Sequence, residues 1–445
     1  MDDAAGREFA PGTPAAEARS PDSTGARAWL VLGMLCFVYV LNFLDRQLLS
    51  ILAKPIQDSL HLSDGQLGRI GGLYFALFYC FISIPVGWLA DRTNRARVLA
   101  AACAIWSVAT MACGLARTYP QLVAARMTVG VGEAGGVPPS YAIISDYFPS
   151  GRRGTALSLF NLGPPIGQAL GVAFGASIAA AYSWRDAFVV LGSVGVFAAV
   201  MVLVIVREPP RGGLDAPQAH AAPEAAAGFK RTVAGFFSRP ALLLAALASG
   251  ATQIVTYGAG NFTTLFLIRE KGMSLSEIAV YLALLVGLGM SAGMYASGWA
   301  IDRFARRSKP AYALIPAASL ALAVPFFVGF IWAPRWPLAL AMLIGPTLLN
   351  HFYLSSSVAL VQEEVAPNQR VLSGALLLLV MNLIGMGVGP TLVGAISDAL
   401  RPSHPEHSLQ LAYYALLPFY GLAIALFLWL ARILAREGAA ERAGG

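Results

Sequence analysis

Apolar runs long enough to cross a bilayer recur from one end of the 445-residue chain to the other. WLVLGMLCFVYVLNFL lies near the start, LALLVGLGMSAGMYASGWAI in the second half and YYALLPFYGLAIALFLWLARIL near the end. A hydrocarbon core about 30 Å thick takes ~20 mainly apolar residues as a helix. A soluble core of this size hides many apolar residues, but not in serial runs of that length. Only 12% of the residues are charged, against about 25% in soluble domains. No segment alternates with the period of two that a membrane barrel needs. The expected class is an all-α membrane protein.

Twelve transmembrane helices fit the pattern, at about 28–50, 66–90, 97–116, 119–147, 154–180, 186–206, 240–268, 275–301, 310–331, 336–364, 371–399 and 409–434. The layout reads as a disordered tail over 1–27, a first six-helix bundle over 28–206, a linker over 207–239, a second bundle over 240–434 and a short tail over 435–445. Residues 1–27 lack the apolar core of a signal peptide. The linker, with REPPRGGLDAPQAHAAPEAAAG, is rich in Pro, Gly and Ala.

Basic residues sort by loop. Arg92, Arg95, Arg97, Arg152, Arg153, Arg303, Arg306, Arg307, Lys309, Arg370, the linker and both tails carry most of them. The opposite loops hold Lys54, Arg69, Arg117, Arg185, Arg269, Lys271, Arg335 and Arg401. By the positive-inside rule both termini are cytoplasmic, as an even number of spans requires. The net charge of +7 is then a matter of topology, and no nucleic-acid partner is expected. Cys36, Cys80, Cys103 and Cys113 all lie inside apolar runs without CxxC or Cys/His spacing, so neither a disulfide framework nor a metal site is expected. HExxH, a nucleophile elbow and a P-loop are all missing. The chain therefore does not read as an enzyme, no cofactor is expected, and an ion gradient is left as the energy source.

The two halves echo each other. GWLADRTNR, with Gly87, Asp91 and Arg95, returns as GWAIDRFAR, with Gly298, Asp302 and Arg306. DYFPSGR, with Asp146, Pro149 and Arg152, returns as EVAPNQR, with Glu364, Pro367 and Arg370. Gly163-Pro164 returns as Gly389-Pro390. Repeats in the same order imply two similar bundles with substrate held between them near the midplane.

On these residues the sequence resembles the major facilitator superfamily, although Asn94 stands where the pattern usually has glycine. YVLNFLDRQLLS, RMTVGVGEAGGVPPSYAIISDYFPSGRRGTALS, GPPIGQALG and WRDAF resemble the Spinster family of bacterial type. The resemblance implies alternating access and a sphingolipid- or lysophospholipid-like cargo. It also implies a cytoplasmic gate built from Gly87, Asp91, Arg92, Arg95, Asp302 and Arg306. Topology-fixing charge is the alternative reading of that gate.

Four ionisable residues fall in otherwise apolar spans: Asp45 and Arg46 in helix 1, Arg126 and Glu133 in helix 4. On insertion scales they cost on the order of 10–14 kcal/mol if additive and unpaired. Arg126 and Glu133 share a helix face but stand about 10 Å apart along the axis, so each needs a partner elsewhere. Helix 1 offers one of each sign, and the expected contacts are Asp45 with Arg126 and Arg46 with Glu133. A structural ion-pair cluster is one reading. The other is a proton-coupling site in which Asp45 and Glu133 carry protons, while Arg46 and Arg126 are charge partners or ligands of a substrate headgroup. The family resemblance implies the same assignment.

Asn42, Tyr74, Phe78, Asn161, Tyr257, Asn261 and His351 are candidate cavity-lining residues. A lone histidine beside Asn350 reads first as a satisfied neutral group, with a functional role left open. The resulting expectation is a secondary transporter, proton-coupled and monomeric, in a bacterial inner membrane. It moves an amphipathic organic molecule or lipid. A passive facilitator, or a drug or organic-anion antiporter of the same fold, is the alternative.

Overall fold

A computed structural model describes residues 25–210, 229–305, 308–366 and 369–444. The described residues are helical, with no strand among them. Eleven helices are long and apolar enough to cross a membrane. The twelfth crossing is span 4, built from two shorter helices, Tyr119–Glu133 and Val137–Tyr147. The other crossings in the first half are span 1 (Ala26–Ile51), span 2 (Asp64–Ala90), span 3 (Arg95–Leu115), span 5 (Gly151–Ala181) and span 6 (Trp184–Ile205). The second half has span 7 (Pro240–Arg269), span 8 (Leu275–Phe304), span 9 (Ala311–Trp332), span 10 (Trp336–Glu364), span 11 (Leu372–Leu400) and span 12 (Ser408–Glu437).

The boundaries depart from the sequence reading in several places, including a break in span 5 between Phe160 and Gly163. Most of the expected N-terminal tail lies outside the described residues, and span 1 begins at Ala26. The linker contains a helix, Phe229–Ser238, whose Thr232 and Phe236 are buried. An apolar stripe on one face lets so short a segment pack against its neighbours. The expected C-terminal tail continues span 12 as helix to Gly444. Span 4, expected to be continuous, breaks at Ala134–Gly136, directly after Glu133.

The repeat is visible in local geometry. Span 2 starts with a capping box in which Ser63 and Gln66 exchange bonds, and passes into a π turn at Ile70–Tyr74. Span 8 starts with the same device, Ser274 and Glu277, and a π turn at Ile278–Leu282. Spans 4 and 10 break at corresponding places, the latter at Asn350–His351. A capping box satisfies donors that a helix start leaves bare. A π turn adds one residue without ending the helix.

Within the first half, span 5 packs on span 1 through small residues. A side chain at Gly171 would meet Gln47 Cβ at 2.7 Å and the Leu44 carbonyl oxygen at 2.9 Å. Backbones approach this closely in membranes where glycine leaves room. The halves meet on the face opposite the termini, called the far face below. Ser50 Oγ donates to the carbonyls of Gly260 and Asn261 at 3.0 and 2.8 Å. A Cβ at Gly287 in span 8 would lie 2.9 Å from Ala169 Cβ in span 5. On the terminal face, Gly87 and Gly298 look onto open space, and the neighbouring Trp88 and Trp299 are exposed.

Candidate functional site

Helix geometry brings the four buried charges together. Asp45 and Arg46 are consecutive on span 1, and span 4 presents Arg126 and Glu133 seven residues apart. Arg46 Nε donates to Glu133 Oε2 at 2.6 Å, a short charge-assisted bond. Arg126 Nη1 faces Asp45 Oδ1 at 3.7 Å, within ion-pair range but too long for a direct hydrogen bond. Thr110 Oγ1 of span 3 donates to Asp45 Oδ2 at 2.8 Å.

The cluster is sealed but not saturated. Asp45, Arg126 and Glu133 are each at most 2% exposed. Yet Asp45 Oδ1, Glu133 Oε1 and the Nε and Nη1 of Arg126 have no hydrogen-bond partner in the protein. Asn42, one turn before Asp45, is also buried with both amide atoms unpartnered. Arg46 is the most accessible charge, its side chain 15% exposed. Its guanidinium lies 4.7 Å from the Tyr79 ring, 4.9 Å from Phe43 and 5.2 Å from Phe75. Phe75 also faces Arg126, at 5.6 Å. These rings give the cations an attractive surface that needs no anion.

The break in span 4 explains how Glu133 reaches its place. Gly132 stands against span 3, where a Cβ would lie 2.5 Å from Trp106 N and 2.8 Å from Trp106 Cβ. The helix stops one residue later, and Glu133 sits on its last turn.

The other expected site residues are dispersed. Tyr74, Phe78 and Tyr257 are half-buried. Asn161 sits at the break in span 5, where its Oδ1 accepts from Tyr141 at 2.5 Å. Asn261 belongs to the seam between halves, since its carbonyl accepts from Ser50 and its amide lies over Gly71. His351 Nδ1 pairs with the Thr347 carbonyl at 2.9 Å. Neighbouring Asn350 is tied to Tyr420.

On the terminal face, Arg95 points into its own half. It bonds Asp146 and Glu208 at 2.6 Å each and the Pro209 carbonyl at 3.3 Å. Lys309 pairs with Glu364 at 2.7 Å in the second half, with Glu364 the repeat counterpart of Asp146. Arg92 lies over Trp88 at 4.1 Å, and Asp302 is exposed. The side chain of Asp91 and the whole of Arg306 lie outside the described residues. None of these pairs crosses between halves.

The far face holds a cluster that the sequence reading missed. Asp64, fully buried, accepts from both terminal nitrogens of Arg269 at 3.0–3.1 Å, from Ser397 at 2.6 Å and from Gln57 at 2.5 Å. Asp398 accepts from the backbone N–H groups of Asp64 and Gly65, both at 2.9 Å. Ser63-Asp64 followed by Gln66 was a readable helix start. Nothing in the sequence said that its partners in the other half lie 205 to 334 residues away.

Two bundles joined on one face, with the cluster of Asp45, Arg46, Arg126 and Glu133 in the first, agree with the results of comparison. A family model described as Major Facilitator Superfamily matches residues 35–377. The chain belongs to the major facilitator superfamily. It is 32% identical over 426 residues to an MFS-type efflux pump of Mycolicibacterium smegmatis (strain ATCC 700084 / mc(2)155), covering 94% of this chain and 95% of that one. It is 27% identical over 405 residues to protein spinster homolog 1 of Bos taurus, covering 86% and 75%. Among solved structures it is similar to a bacterial homolog of the human lysosomal transporter Spinster in an inward-facing, unoccupied conformation. That match has a TM-score of 0.85 and 28% identity, over 93% of this chain and 99% of the other. Within the superfamily, the protein is a transporter of the Spinster family.

Proposed function

We propose that the transporter is a proton-coupled secondary carrier of an amphipathic organic molecule, sphingolipid- or lysophospholipid-like. It acts as a monomer in a bacterial inner membrane with both termini in the cytoplasm. The observation that carries the reading is the unsaturated charge cluster. A purely structural cluster would close its bonds, because unpaired buried polar atoms are costly. Here a carboxylate stands 3.7 Å from its arginine, with free donors and acceptors around it. Asp45 and Glu133 hold the coupled proton. Rocking of the halves changes their exposure and their distance from Arg126 and Arg46, so the proton loads on one side and leaves on the other. Arg46, ringed by aromatics and partly accessible, takes the polar headgroup, and apolar lining takes the tail. On this reading the closed far face is periplasmic, and the terminal-face motif charges latch only when that face shuts.

The test is transport in proteoliposomes with an imposed pH gradient, across a panel of lysolipids, drugs and organic acids. Glu133→Gln keeps size and hydrogen-bonding capacity but cannot ionise. Gradient-driven accumulation should collapse in Glu133→Gln or Asp45→Asn, and the pH response should flatten, while exchange down a concentration gradient persists. Full accumulation and a wild-type pH response in both variants would favour the facilitator.

A further inference from the structure

Asp45 borders a small space inside the first bundle. A buried void of about 10 Å³ lies between spans 1, 3 and 6, its wall including Asp45, Ser107, Thr110, Gly192 and Gly195. A water needs roughly one such probe-sized sphere of room and two to four polar partners. The wall supplies them. Asp45 and Ser107 are each 1% exposed; Ser107 Oγ and Asp45 Oδ1, the latter 3.7 Å from Arg126 Nη1, have no hydrogen-bond partner in the protein. Thr110 has one hydroxyl proton, directed at Asp45 Oδ2 (2.8 Å) and the Trp106 carbonyl (2.9 Å), which leaves its lone pairs free to accept.

Ser107 departs from its peers. Thr110, Ser140 and Ser193 each bond the carbonyl four residues back in their own helix, the usual resort of a hydroxyl in an apolar helix. Ser107 makes no such bond. The space beside it exists because span 6 is glycine there. A Cβ at Gly195 would collide with Ser107 Oγ, and one at Gly192 would lie 2.6 Å from the Ser107 carbonyl oxygen.

We propose that this void is a binding site for a single water molecule, which bridges Asp45 Oδ1 to Ser107 Oγ and fixes the carboxyl group for proton exchange. Ser107 is a positioning residue that acts through that water. The functional half of the proposal rests on the proton-coupling reading above; the site itself does not. With Thr110 on one carboxyl oxygen and the water on the other, Asp45 is held in register while Arg126 approaches or withdraws.

The experiment is infrared difference spectroscopy of the full-length protein in lipid, in ordinary and ¹⁸O-labelled water, paired with proteoliposome transport. The wild type should show an isotope-sensitive band of a bound water. Ser107→Ala should shift or remove it, Gly195→Ala should remove it by filling the void, and Ser107→Thr, which keeps the hydroxyl, should restore it. Gradient-driven accumulation should fall several-fold in Ser107→Ala, with exchange unchanged. No such band in the wild type, or a band that Ser107→Ala leaves untouched, overturns the site. Wild-type accumulation in Ser107→Ala, where Asp45→Asn abolishes it, overturns the positioning role and leaves proton coupling standing. If Asp45→Asn and Glu133→Gln both accumulate normally, the coupling reading falls together with the positioning role, and the infrared band alone decides the site.

Discussion

The two arginines of the cluster are in different situations, and substitution should separate them. Arg126 is buried against Asp45, whose carboxylate also accepts from Thr110. Arg126→Ala strands that carboxylate, and breaking a buried pair costs about 3–5 kcal/mol. Thermal unfolding in detergent should show a large loss, with a smaller one in the double variant Asp45→Asn, Arg126→Ala. An equal loss in both would mean that the pair is not coupled. Arg46 lies among Phe43, Phe75 and Tyr79, where a flat guanidinium stacks and an ammonium does not. Arg46→Lys should keep the fold but weaken substrate binding by roughly tenfold, about 1.4 kcal/mol; binding at wild-type strength would leave the ring contacts incidental. Asp45, Arg46, Arg126 and Glu133 were legible in the sequence because charge in an apolar span is costly and needs a reason. Their pairing followed from spacing. The surrounding rings were not legible, because an aromatic in a membrane helix can equally face lipid, and Ser107 carries no signal until its missing back-bond is seen.

At the scale of elements, breaks do what straight helices cannot. Span 4 ends its first segment on Glu133, and Gly132 lets that end press on Trp106. Gly132→Ala should destabilise by about 1–3 kcal/mol, the usual cost of overpacking. Gly87→Ala, facing open space, should stay within about 0.5 kcal/mol. Equal effects in a chemical-denaturation series would contradict the packing argument. The GVGEAGG stretch announced close packing, but its apolar pattern continues through Ala134–Gly136, so nothing in the sequence marked a break. The linker helix was hidden for a different reason. Ten residues with one apolar face are weak as an isolated helix and form only against the bundle.

For the whole molecule, the closed far face sets the conformation. Asp64–Arg269 and its serines join the halves there, so Arg269→Ala should raise the fraction of molecules open on that side. Spin labels on the far ends of spans 2 and 11 should report a longer mean separation than in the wild type, and an unchanged distance would remove the cluster as a latch. Ala169→Cys with Gly287→Cys should crosslink spans 5 and 8 after slight relaxation, since the Cβ approach of 2.9 Å is shorter than the ~3.8 Å a disulfide prefers. Oxidation should stop transport and reduction should restore it. Continued transport in the oxidised protein would show that these spans need not part. The two-bundle plan was readable from the echoed motifs. Which face is shut was not, because the same residues build both states.

The carboxylate of Asp398 completes the first turn of a helix that begins 334 residues earlier. A polypeptide leaves the ribosome at about 5–20 residues per second. Span 2 therefore waits on the order of tens of seconds before its missing acceptor is even synthesised. Throughout that interval the first bundle sits in the bilayer with two bare amide groups at its outer rim. A truncated product lacking spans 11 and 12 would leave those two N–H groups to water, with the Ser63–Gln66 capping box still in place.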